Sequence, residues 1–437
     1  MPTRYVSAKS TYFHRDAQGS GWDFVLIYGD EVQRSNTLQN GRYRVQYRGR
    51  TGWVRADRLM TGHPLEMYFI DVGQGDAAFF VTPAGRKVLV DGGKGNEAFQ
   101  FLVWKYRLDA ADAQPVDIDL LVVSHVDDDH IKGLLEVVQH RLIRVRRIVH
   151  SGIAKYNGNA FNTELGRTVG SGANRYLATR HDRVTDLDGQ PVVELIALWR
   201  DAVAAEAGVS YGAVDSTTGT IDVGDPAVTI HVLGPRLSNH PTEGRVFHWL
   251  GSESETINGH SVVLRLDCGD VRVLLPGDVN TEGARHLLAH AGFAADADSH
   301  VLKAPHHGSH KHAPEFLRAV HPQIAVVSSG ETPDHGHPRA NFLGRIGRAS
   351  RSDEPLLFST ELVAQFAVDA DAAAPDADDD PDPTDANLIG QARRRFKKRL
   401  NGLINIRTDG RRIYCARRVA AAYQFVTYDH PAQPRDP

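Results

Sequence analysis

The stretch Ser124-His125-Val126-Asp127-Asp128-Asp129-His130 places two histidines and three aspartates within six consecutive positions. It follows the predominantly apolar, strand-like run 118–123. Carboxylates held this close together repel one another, whereas a divalent cation turns them and the imidazoles into ligands. The stretch therefore predicts a metal site at the end of a strand, and with it metal-dependent chemistry.

The composition indicates an ordinary globular protein and names no partner. The chain has 437 residues, 41% hydrophobic and 24% charged, with a net charge of -4, which suits two or three domains. Two cysteines, Cys268 and Cys415, are too few for a disulfide framework, and we expect both to be buried thiols. Neither a secretory signal nor a membrane-spanning run is visible, so the sequence predicts a cytoplasmic protein without a membrane partner.

Residues 1–63 are predicted to form a separate all-β unit. The run 42–47 alternates with a period of two, as a half-buried strand does, and the unit closes with Gly-Trp-Val at 52–54. These short strands and turns resemble a bacterial SH3-like barrel, which implies a protein or peptide partner. A β extension of the main domain is the alternative interpretation.

Residues 64–437 are predicted to form one α/β domain, because strands alternate with helices along the chain. The predicted strands are 77–81, 87–91, 118–123, 228–234, 261–267 and 271–276, and the predicted helices are 99–108 and 131–140. An insertion at about 151–225, with a helix at 192–207, is interpreted as a lid over the active face. An acidic tract at about 368–385 is predicted to be disordered, and a hairpin at about 403–416 turns at Asp409-Gly410 and closes the domain.

Further candidate ligands follow other predicted strands. Asp278 ends the run Leu274-Leu275-Pro276-Gly277-Asp278, and His306 and His307 follow the strand 301–303. His337 follows the strand 324–329, and His260 is placed at the start of the strand 261–267, with a capping or hydrogen-bonding role as the alternative. Since loops at one edge of an α/β sheet converge, we expect these side chains to gather there.

The motifs resemble those of the metallo-β-lactamase superfamily, and within it the soluble hydrolase domain of ComEC-type competence proteins. The matching segments, in order, are Asp71-Val72-Gly73-Gln74-Gly75-Asp76, Asp91-Gly92-Gly93, His125-x-Asp127-x-Asp129-His130, Leu275-Pro276-Gly277-Asp278, Pro305-His306-His307-Gly308-Ser309 and His337-Pro338. The resemblance covers about residues 65–365. It implies a four-layer αββα sandwich that holds two divalent metal ions, zinc by expectation and manganese as the alternative, at one edge.

The resemblance also implies a role for each motif residue. His125 and Asp127 would hold a first metal, which we call the first position. Asp129 and His130 would hold a second metal, Asp278 would bridge the two, and one of His306 or His307 would complete the second position. The implied catalytic residues are Asp129, which orients the nucleophile, and His337, which contacts the scissile group or protonates the leaving group. Asp127 stands where the lactamases have histidine, and His260 is a weak candidate for a further ligand.

Three other residues near the motifs keep more than one interpretation. Asp76 is ambiguous, and Asp91 is interpreted mainly as a structural residue that accepts backbone hydrogen bonds, with orientation of a ligand histidine as the alternative. Lys303 is a candidate phosphate contact.

The predicted function is a metal-dependent hydrolase, most specifically a phosphodiesterase or nuclease that uses a metal-activated hydroxide. Basic segments at 141–147 and 393–399 are candidate contacts for a nucleic acid backbone. The first is interpreted mainly as a solvated face, and pairing with the neighbouring acidic tract is the alternative for the second. The alternatives are a small-molecule phosphodiesterase acting on a cyclic nucleotide or phosphocholine ester, and a non-catalytic binding module stabilised by metal.

Overall fold

A computed structural model describes residues 1–330, 336–361, 402–419 and 424–431. The acidic tract predicted at about 368–385 and the basic segment 393–399 lie outside the described residues. None of the helices in the described ranges is both long enough and apolar enough to cross a lipid bilayer.

The N-terminal residues form an antiparallel sheet of their own with a small apolar core. Phe13, Leu26, Val45 and Val54 are buried in this core because alternate residues of each strand point inward. The unit fits a small β domain, and its resemblance to an SH3 barrel stays a prediction. Its strands are Thr3–Val6, Ser10–His14, Trp22–Ile27, Glu31–Gln39, Arg42–Tyr47, Arg50–Arg55 and Leu59–Met60, with a 3-10 turn at Ala56–Arg58.

Two large sheets dominate the rest of the described chain. The first main sheet contains, in spatial order, Ser210–Ala213, Arg147–His150, Leu120–Val123, Lys87–Val90, Ala78–Val81, Leu65–Phe69, Ile404–Thr408, Arg412–Val419 and Gln424–Pro431. The second main sheet contains Thr220–Ile221, Thr229–Gly234, Val263–Cys268, Val271–Leu275, Val301–Lys303, Ile324–Val327 and Leu356–Ser359.

The two main sheets pack face to face, with helices on both outer faces. Leu120 and Val122 lie in the apolar core shared by the two sheets, whereas Leu121 and Val123 lie in the core beneath the helices. This alternation follows from the two-residue period of a strand and shows why both faces of the run are apolar. The arrangement confirms the predicted helix–sheet–sheet–helix sandwich of the main domain.

The helices of the described ranges are short. They are Glu97–Tyr106, Asp128–Ile131, Leu134–Gln139, Glu194–Ala205, Glu253–Gly259, Thr281–Leu288, Phe293–Ala297, Pro314–Val320 and Ala340–Ala349, with 3-10 turns at Gly172–Asn174, Val184–Leu187 and Pro305–Gly308. The prediction of a single helix at 131–140 is wrong, because the helix is interrupted at Gly133 and two shorter helices form. The amide of Gly133 donates to the carbonyl of Gly93 there, at 2.9 Å.

The insertion predicted at about 151–225 contains the helix Glu194–Ala205, but its last part returns to the main sheets through the strands Ser210–Ala213 and Thr220–Ile221. Its short strands Thr168–Val169 and Tyr176–Leu177 join Gly244–His248 and Ser238–His240 in a small separate sheet. A further pair, Val116–Ile118 and Ile143–Val145, is parallel and lies outside both main sheets.

The hairpin predicted at 403–416 is present and extends the first main sheet. Its strand Ile404–Thr408 pairs antiparallel with Leu65–Phe69. From this strand, Arg407 donates to Asp30 Oδ1 at 2.9 Å and to the carbonyl of Tyr28 in the N-terminal unit. The hairpin therefore contacts the N-terminal unit directly.

A buried group of charges surrounds this contact. Arg407 also donates to the Tyr68 hydroxyl at 3.2 Å and lies 3.7 Å from Glu66 Oε1, while Lys105 donates to Glu66 Oε2 at 2.8 Å. We call Asp30, Glu66, Lys105 and Arg407 the junction cluster. Each of its charges has a partner of opposite sign, which is the condition for burying charge at tolerable cost.

Candidate metal centre

The predicted ligands come from the ends of strands in both main sheets. Asp91 follows Lys87–Val90 and His125 follows Leu120–Val123 in the first main sheet. Asp278 follows Val271–Leu275 and His307 follows Val301–Lys303 in the second. These are parallel neighbours within their sheets, so their carboxyl ends meet at one edge.

Two glycine turns, which contain Gly75 and Gly92, hold the backbone of residues 124–130, which we call the metal-binding stretch. The amide of Asp76 donates to the carbonyl of Asp129 at 3.2 Å, and the amide of Gly92 donates to the carbonyl of His130 at 2.8 Å. Gly75 has a φ of +132°, and a Cβ atom there would collide with the Asp129 carbonyl. Glycine is required at this position because only it reaches that φ and leaves room for the carbonyl.

Donor atoms of Asp129, His130, Asp278 and His307 lie close together at this edge, in overlapping groups of three. The Nε2 atom of His307 is 3.0 Å from Asp278 Oδ2 and 3.4 Å from Asp129 Oδ2. The Nε2 atom of His130 is 3.4 Å from the same Asp278 Oδ2. A tetrahedral cation with ligand bonds of about 2.1 Å separates its ligands by about 3.4 Å. These spacings fit ligands of a cation, and Asp129, His130 and His307 form one group whose ligand atoms lie within 4.8 Å of one another.

The imidazoles present the correct nitrogen to these donor groups. The Nδ1 atom of His130 lies 2.9 Å from Asp91 Oδ2, and the Nδ1 atom of His307 lies 3.0 Å from the carbonyl of Ser328, so each Nδ1 donates. In the neutral imidazole each Nε2 then carries the lone pair that a metal takes. The Nε2 atoms of His125, His130 and His307 are buried without a hydrogen-bond partner among the described residues. Buried polar atoms of this kind indicate a ligand-binding site.

The electrostatics of the cluster favour positive charge at its centre. Burial by itself lowers the pKa of His130, but the carboxylates of Asp278 and Asp91 raise that pKa well above its ordinary value. Burial by itself raises the pKa of Asp278, whereas His307, His130 and Lys303 hold it well below its ordinary value. A divalent cation would meet the same preference, since it competes with protons for the same ligands.

Asp91 orients a ligand histidine as well as the backbone. Besides accepting from His130, it accepts from the amide of Ser124 at 2.8 Å and from the Ser124 hydroxyl at 2.6 Å. The mainly structural interpretation of Asp91 was therefore incomplete. A carboxylate that fixes the tautomer and direction of a ligand imidazole is a common support of metal sites.

The first position is brought together only in part. His125 Nε2 lies 3.7 Å from Asp127 Oδ2, and His125 also groups with His130 and Asp278. The other oxygen of Asp127 accepts from Lys155 Nζ at 2.5 Å. Nothing in the sequence pattern indicated Lys155, because it comes from the irregular insertion.

His307, not His306, faces the candidate second position. Both residues have left-handed backbone conformations, with φ values of +46° for His306 and +53° for His307. Non-glycine residues adopt this conformation at a cost that is common at functional sites. Within the described ranges, His306 belongs to none of the groups able to hold a metal, and burial lowers its pKa to about 4.

His260 does not reach the candidate metal groups, so its prediction as a ligand was wrong. It follows the helix Glu253–Gly259 instead of starting a strand, and its Nε2 donates to the carbonyl of His248 at 2.8 Å. Burial lowers its pKa to about 3. The hydrogen-bonding alternative describes this residue better.

Asp76 and Lys303 are parts of the buried cluster. Lys303 Nζ contacts Asp76 Oδ2 and lies 3.5 Å from Asp278 Oδ1, and Asp76 Oδ1 is 3.4 Å from His307 Nδ1. Only 4% of the Lys303 side chain is exposed. Its ammonium group is therefore enclosed by carboxylates and is poorly placed to meet a substrate phosphate, against the earlier interpretation.

His337 is buried beside the cluster and outside the donor groups. Its ring centroid lies 6.1 Å from that of His307 and 6.0 Å from that of His306. The predicted role of His337 at the scissile group stays a prediction.

Comparison with known sequences identifies the family. The sequence model of the metallo-beta-lactamase superfamily matches residues 70–331. The chain belongs to the metallo-beta-lactamase superfamily. The matched range contains the metal-binding stretch, Asp278 and His307, which are the side chains that the fold gathers. Membership of this superfamily supports a metal-dependent hydrolase in general terms.

Two relatives narrow the branch of the metallo-beta-lactamase superfamily. ComE operon protein 3 of Bacillus subtilis (strain 168) is 23% identical over 299 residues, which cover 65% of this chain and 31% of the relative. Competence protein ComA of Neisseria gonorrhoeae is 38% identical over 90 residues, covering 20% of this chain and 13% of the relative. The chain thus spans less than a third of the length of either relative. The predicted resemblance to ComEC-type proteins is confirmed.

Proposed function

We propose that this protein is a metal-dependent phosphodiesterase that cleaves a nucleic acid strand. One observation carries the proposal: Asp129, His130 and His307 offer ligand atoms within 4.8 Å of one another, and Asp278 Oδ2 lies 3.0–3.4 Å from both histidines. The Nε2 atoms of these histidines have no hydrogen-bond partner among the described residues. A non-catalytic role explains this poorly, because a structural metal site is fully enclosed. Here the Asp129 side chain is 26% exposed.

The donor set suits a divalent metal, with zinc as the first proposal and manganese as the second. Imidazole nitrogens bind zinc well, and carboxylates are shared by zinc and manganese. When bound, such a metal polarises a phosphoryl oxygen and lowers the pKa of a water molecule to about 7. His130 and His307 would hold it with Asp278, and Asp91 keeps His130 in the required tautomer.

The protein residues divide the remaining tasks by exposure. His130, His307 and Asp278 have side chains that are 0%, 1% and 4% exposed, so they are fixed in the interior. Asp129 is the donor that solvent and substrate reach, and we assign to it the orientation of the attacking water. We assign to His337, which lies beside His307, the protonation of the leaving oxygen.

Nucleic acid is the proposed substrate because of the branch of the superfamily. Arg141, Arg144 and Arg146 of the basic segment 141–147 are exposed, and Arg146 is paired with Asp117 at 2.7 Å. These arginines precede the strand Arg147–His150 and so lie at the amino ends of the first main sheet, away from the metal centre, and they carry no part of the proposal. The N-terminal unit is proposed to bind a protein or peptide partner, and the cytoplasm is the proposed location.

A small phosphate ester is the second candidate substrate. The insertion reaches the metal-binding stretch, because Lys155 contacts Asp127. A segment in that place narrows access to the metal centre and favours a substrate such as a cyclic nucleotide over a long strand.

The test is a substrate panel on the full chain after chelation and reloading with Zn²⁺ or Mn²⁺. It compares single-stranded DNA, duplex DNA, RNA, a cyclic nucleotide and bis(p-nitrophenyl) phosphate. We expect metal-dependent cleavage of bis(p-nitrophenyl) phosphate and of at least one nucleic acid, the latter falling steeply with added salt. Equal hydrolysis by metal-free protein would refute the proposal, and cleavage of the cyclic nucleotide alone would favour the second candidate.

A further inference from the structure

The two carboxylates on either side of Asp128 have different partners. Asp129 Oδ2 faces His307 Nε2 at 3.4 Å, in the donor group that these two residues form with His130. Asp127 Oδ1 accepts from Lys155 Nζ at 2.5 Å. Their side chains are similarly exposed, 26% for Asp129 and 24% for Asp127. The carboxylate of the first metal position, Asp127, therefore already has a cationic partner, the ammonium group of Lys155. Asp129, the carboxylate of the second metal position, has no such lysine partner among its described contacts.

The backbone holds Lys155 in this place. It follows the strand Arg147–His150 of the first main sheet, and its carbonyl accepts from the amide of Val193 at 3.1 Å. The neighbouring Ala154 and Tyr156 are buried. The Lys155 side chain is 27% exposed, so its stem is partly packed while its ammonium group can still leave Asp127 for solvent.

The other donor of the first position is ready for a ligand. His125 is 1% exposed, and its Nε2 is buried without a hydrogen-bond partner among the described residues. That nitrogen is 3.7 Å from the Asp127 oxygen that Lys155 does not contact. The Nε2 atom of His125 thus faces the Asp127 carboxylate, whose charge the Lys155 ammonium group already compensates.

We propose that Lys155 is a built-in competitor for the first metal: its ammonium group keeps Asp127 neutralised, so the two positions fill with unequal affinity. The second position, made by Asp129, His130, Asp278 and His307, takes its cation first. The first position fills only when Lys155 moves away from Asp127. This inference rests on the metal centre of the proposed function and not on its substrate.

Electrostatics give the reason for the inequality. A divalent cation at Asp127 must displace the ammonium partner of that carboxylate and would be repelled by it at short range. Asp129 has no lysine partner among its described contacts. The cost of the displacement is that of a partly exposed ion pair, and we expect it to weaken the first position by about fivefold.

The test measures metal binding to the full chain, without any substrate. Chelator-treated wild type, Lys155→Met and Lys155→Arg are titrated with Zn²⁺ against a chromophoric chelator, and bound metal is counted by elemental analysis. Lys311→Met is the matched control, since Lys311 pairs with Glu255 at 3.3 Å outside the donor groups. We expect wild type, Lys155→Arg and Lys311→Met to bind one zinc tightly and a second more weakly. In Lys155→Met, we expect the second to bind about fivefold more tightly.

Unchanged affinity of the tight zinc shows that Lys155→Met is folded. Given that, a second zinc that binds no more tightly than in wild type would overturn the proposal, as would two equal affinities in wild type. Wild type that binds no zinc or manganese at all would overturn the proposed function as well, which separates the two failures.

Discussion

The junction cluster and the metal centre both bury several charged side chains, yet they satisfy them differently. In the junction cluster, Arg407 and Lys105 meet Glu66 and Asp30 directly, at distances of 2.8–3.7 Å. In the metal centre, His130 and His307 turn toward the carboxylate of Asp278 Nε2 atoms that have no hydrogen-bond partner in the part of the chain that the structure describes.

The difference separates a structural use of buried charge from a functional one. A buried charge is tolerated when a partner and hydrogen bonds compensate it. The junction cluster meets this condition from within the chain, so its expected contribution is to stability. The metal centre meets it fully only with a cation, so its expected contribution is to binding and turnover. The following predictions test that division.

The largest expected effect is the loss of activity in Asp129→Ala. The metal supplies several kcal/mol of transition-state stabilisation, and we expect turnover of bis(p-nitrophenyl) phosphate to fall by about a thousandfold. Because Asp129 is partly exposed, the melting temperature of the metal-free protein should change little. The control is Asp128→Ala, an exposed neighbour outside the donor groups, which should keep its activity. Equal turnover in the two variants would reject the assignment of Asp129.

Arg407→Met should lower the stability of the protein and leave its metal centre intact, the opposite of Asp129→Ala. Removing one partner of a buried ion pair leaves the others uncompensated, which typically costs about 3–5 kcal/mol of unfolding free energy. Denaturant unfolding measures this cost, and Arg411→Met, at an exposed position of the same hairpin, is the control. The affinity for zinc should stay at the wild-type value in the folded variant. A variant with normal stability and weakened zinc binding would reverse the roles of the two clusters.

Asp91→Asn tests the support of the metal centre. The asparagine keeps the size of the side chain but loses the charge that faces His130 Nδ1. Loss of such a carboxylate typically costs 10–100-fold, and we expect zinc affinity to fall by about that factor. Asp109→Asn, an exposed substitution, serves as the control. Unchanged zinc affinity in Asp91→Asn would return Asp91 to a purely structural role.

The smallest expected effect concerns histidines buried away from both clusters. His150 and His181 stack at 4.5 Å, and His181 Nε2 lies 3.2 Å from the Tyr211 hydroxyl. Burial lowers the pKa of His181 to about 4 and, with help from His181, lowers the pKa of His150 well below its ordinary value. These two histidines therefore favour the neutral form, unlike His130 in the metal centre.

The pH dependence follows from that depressed pKa. Unfolded histidine takes up a proton below a pKa of about 6.5, whereas folded His181 stays neutral down to about 4. The contribution of neutral His181 to the unfolding free energy is therefore fully present above pH 6.5 and is lost as the pH drops toward 4. Between pH 7.5 and 5.5, we expect the unfolding free energy of His181→Gln to fall by about 1 kcal/mol less than that of wild type. Denaturant unfolding at the two pH values measures this difference. Identical losses in both proteins would contradict this account.

The sequence predicted the sandwich and most of the metal centre because both depend on local patterns. The strand Leu120–Val123 is apolar on both faces and is followed at once by ligands, so its place and its chemistry are visible together. The closing hairpin was visible for the same reason, since Asp409-Gly410 is a common turn.

The failures have physical reasons too. His306 and His307 are adjacent, and only their unusual backbone φ values decide which one faces the centre. His260 was misplaced because the helix Glu253–Gly259 was missed, although Ser252 and Glu255 form a capping box that signals its start. The contact of Lys155 with Asp127 spans 28 positions, which contain two helices and two strands, and no periodic pattern in the sequence indicates it.

The contact between Arg407 and Asp30 has a consequence for anyone who wants to divide this protein. A shortened chain that starts at residue 64 would keep the guanidinium of Arg407 while losing Asp30 and the carbonyl of Tyr28. The half-buried ring of Tyr414 would also lose the aromatic face of Tyr28, whose ring centroid is now 3.7 Å away. Because residues 1–63 cover these groups, we expect their deletion to yield insoluble material instead of a smaller folded protein.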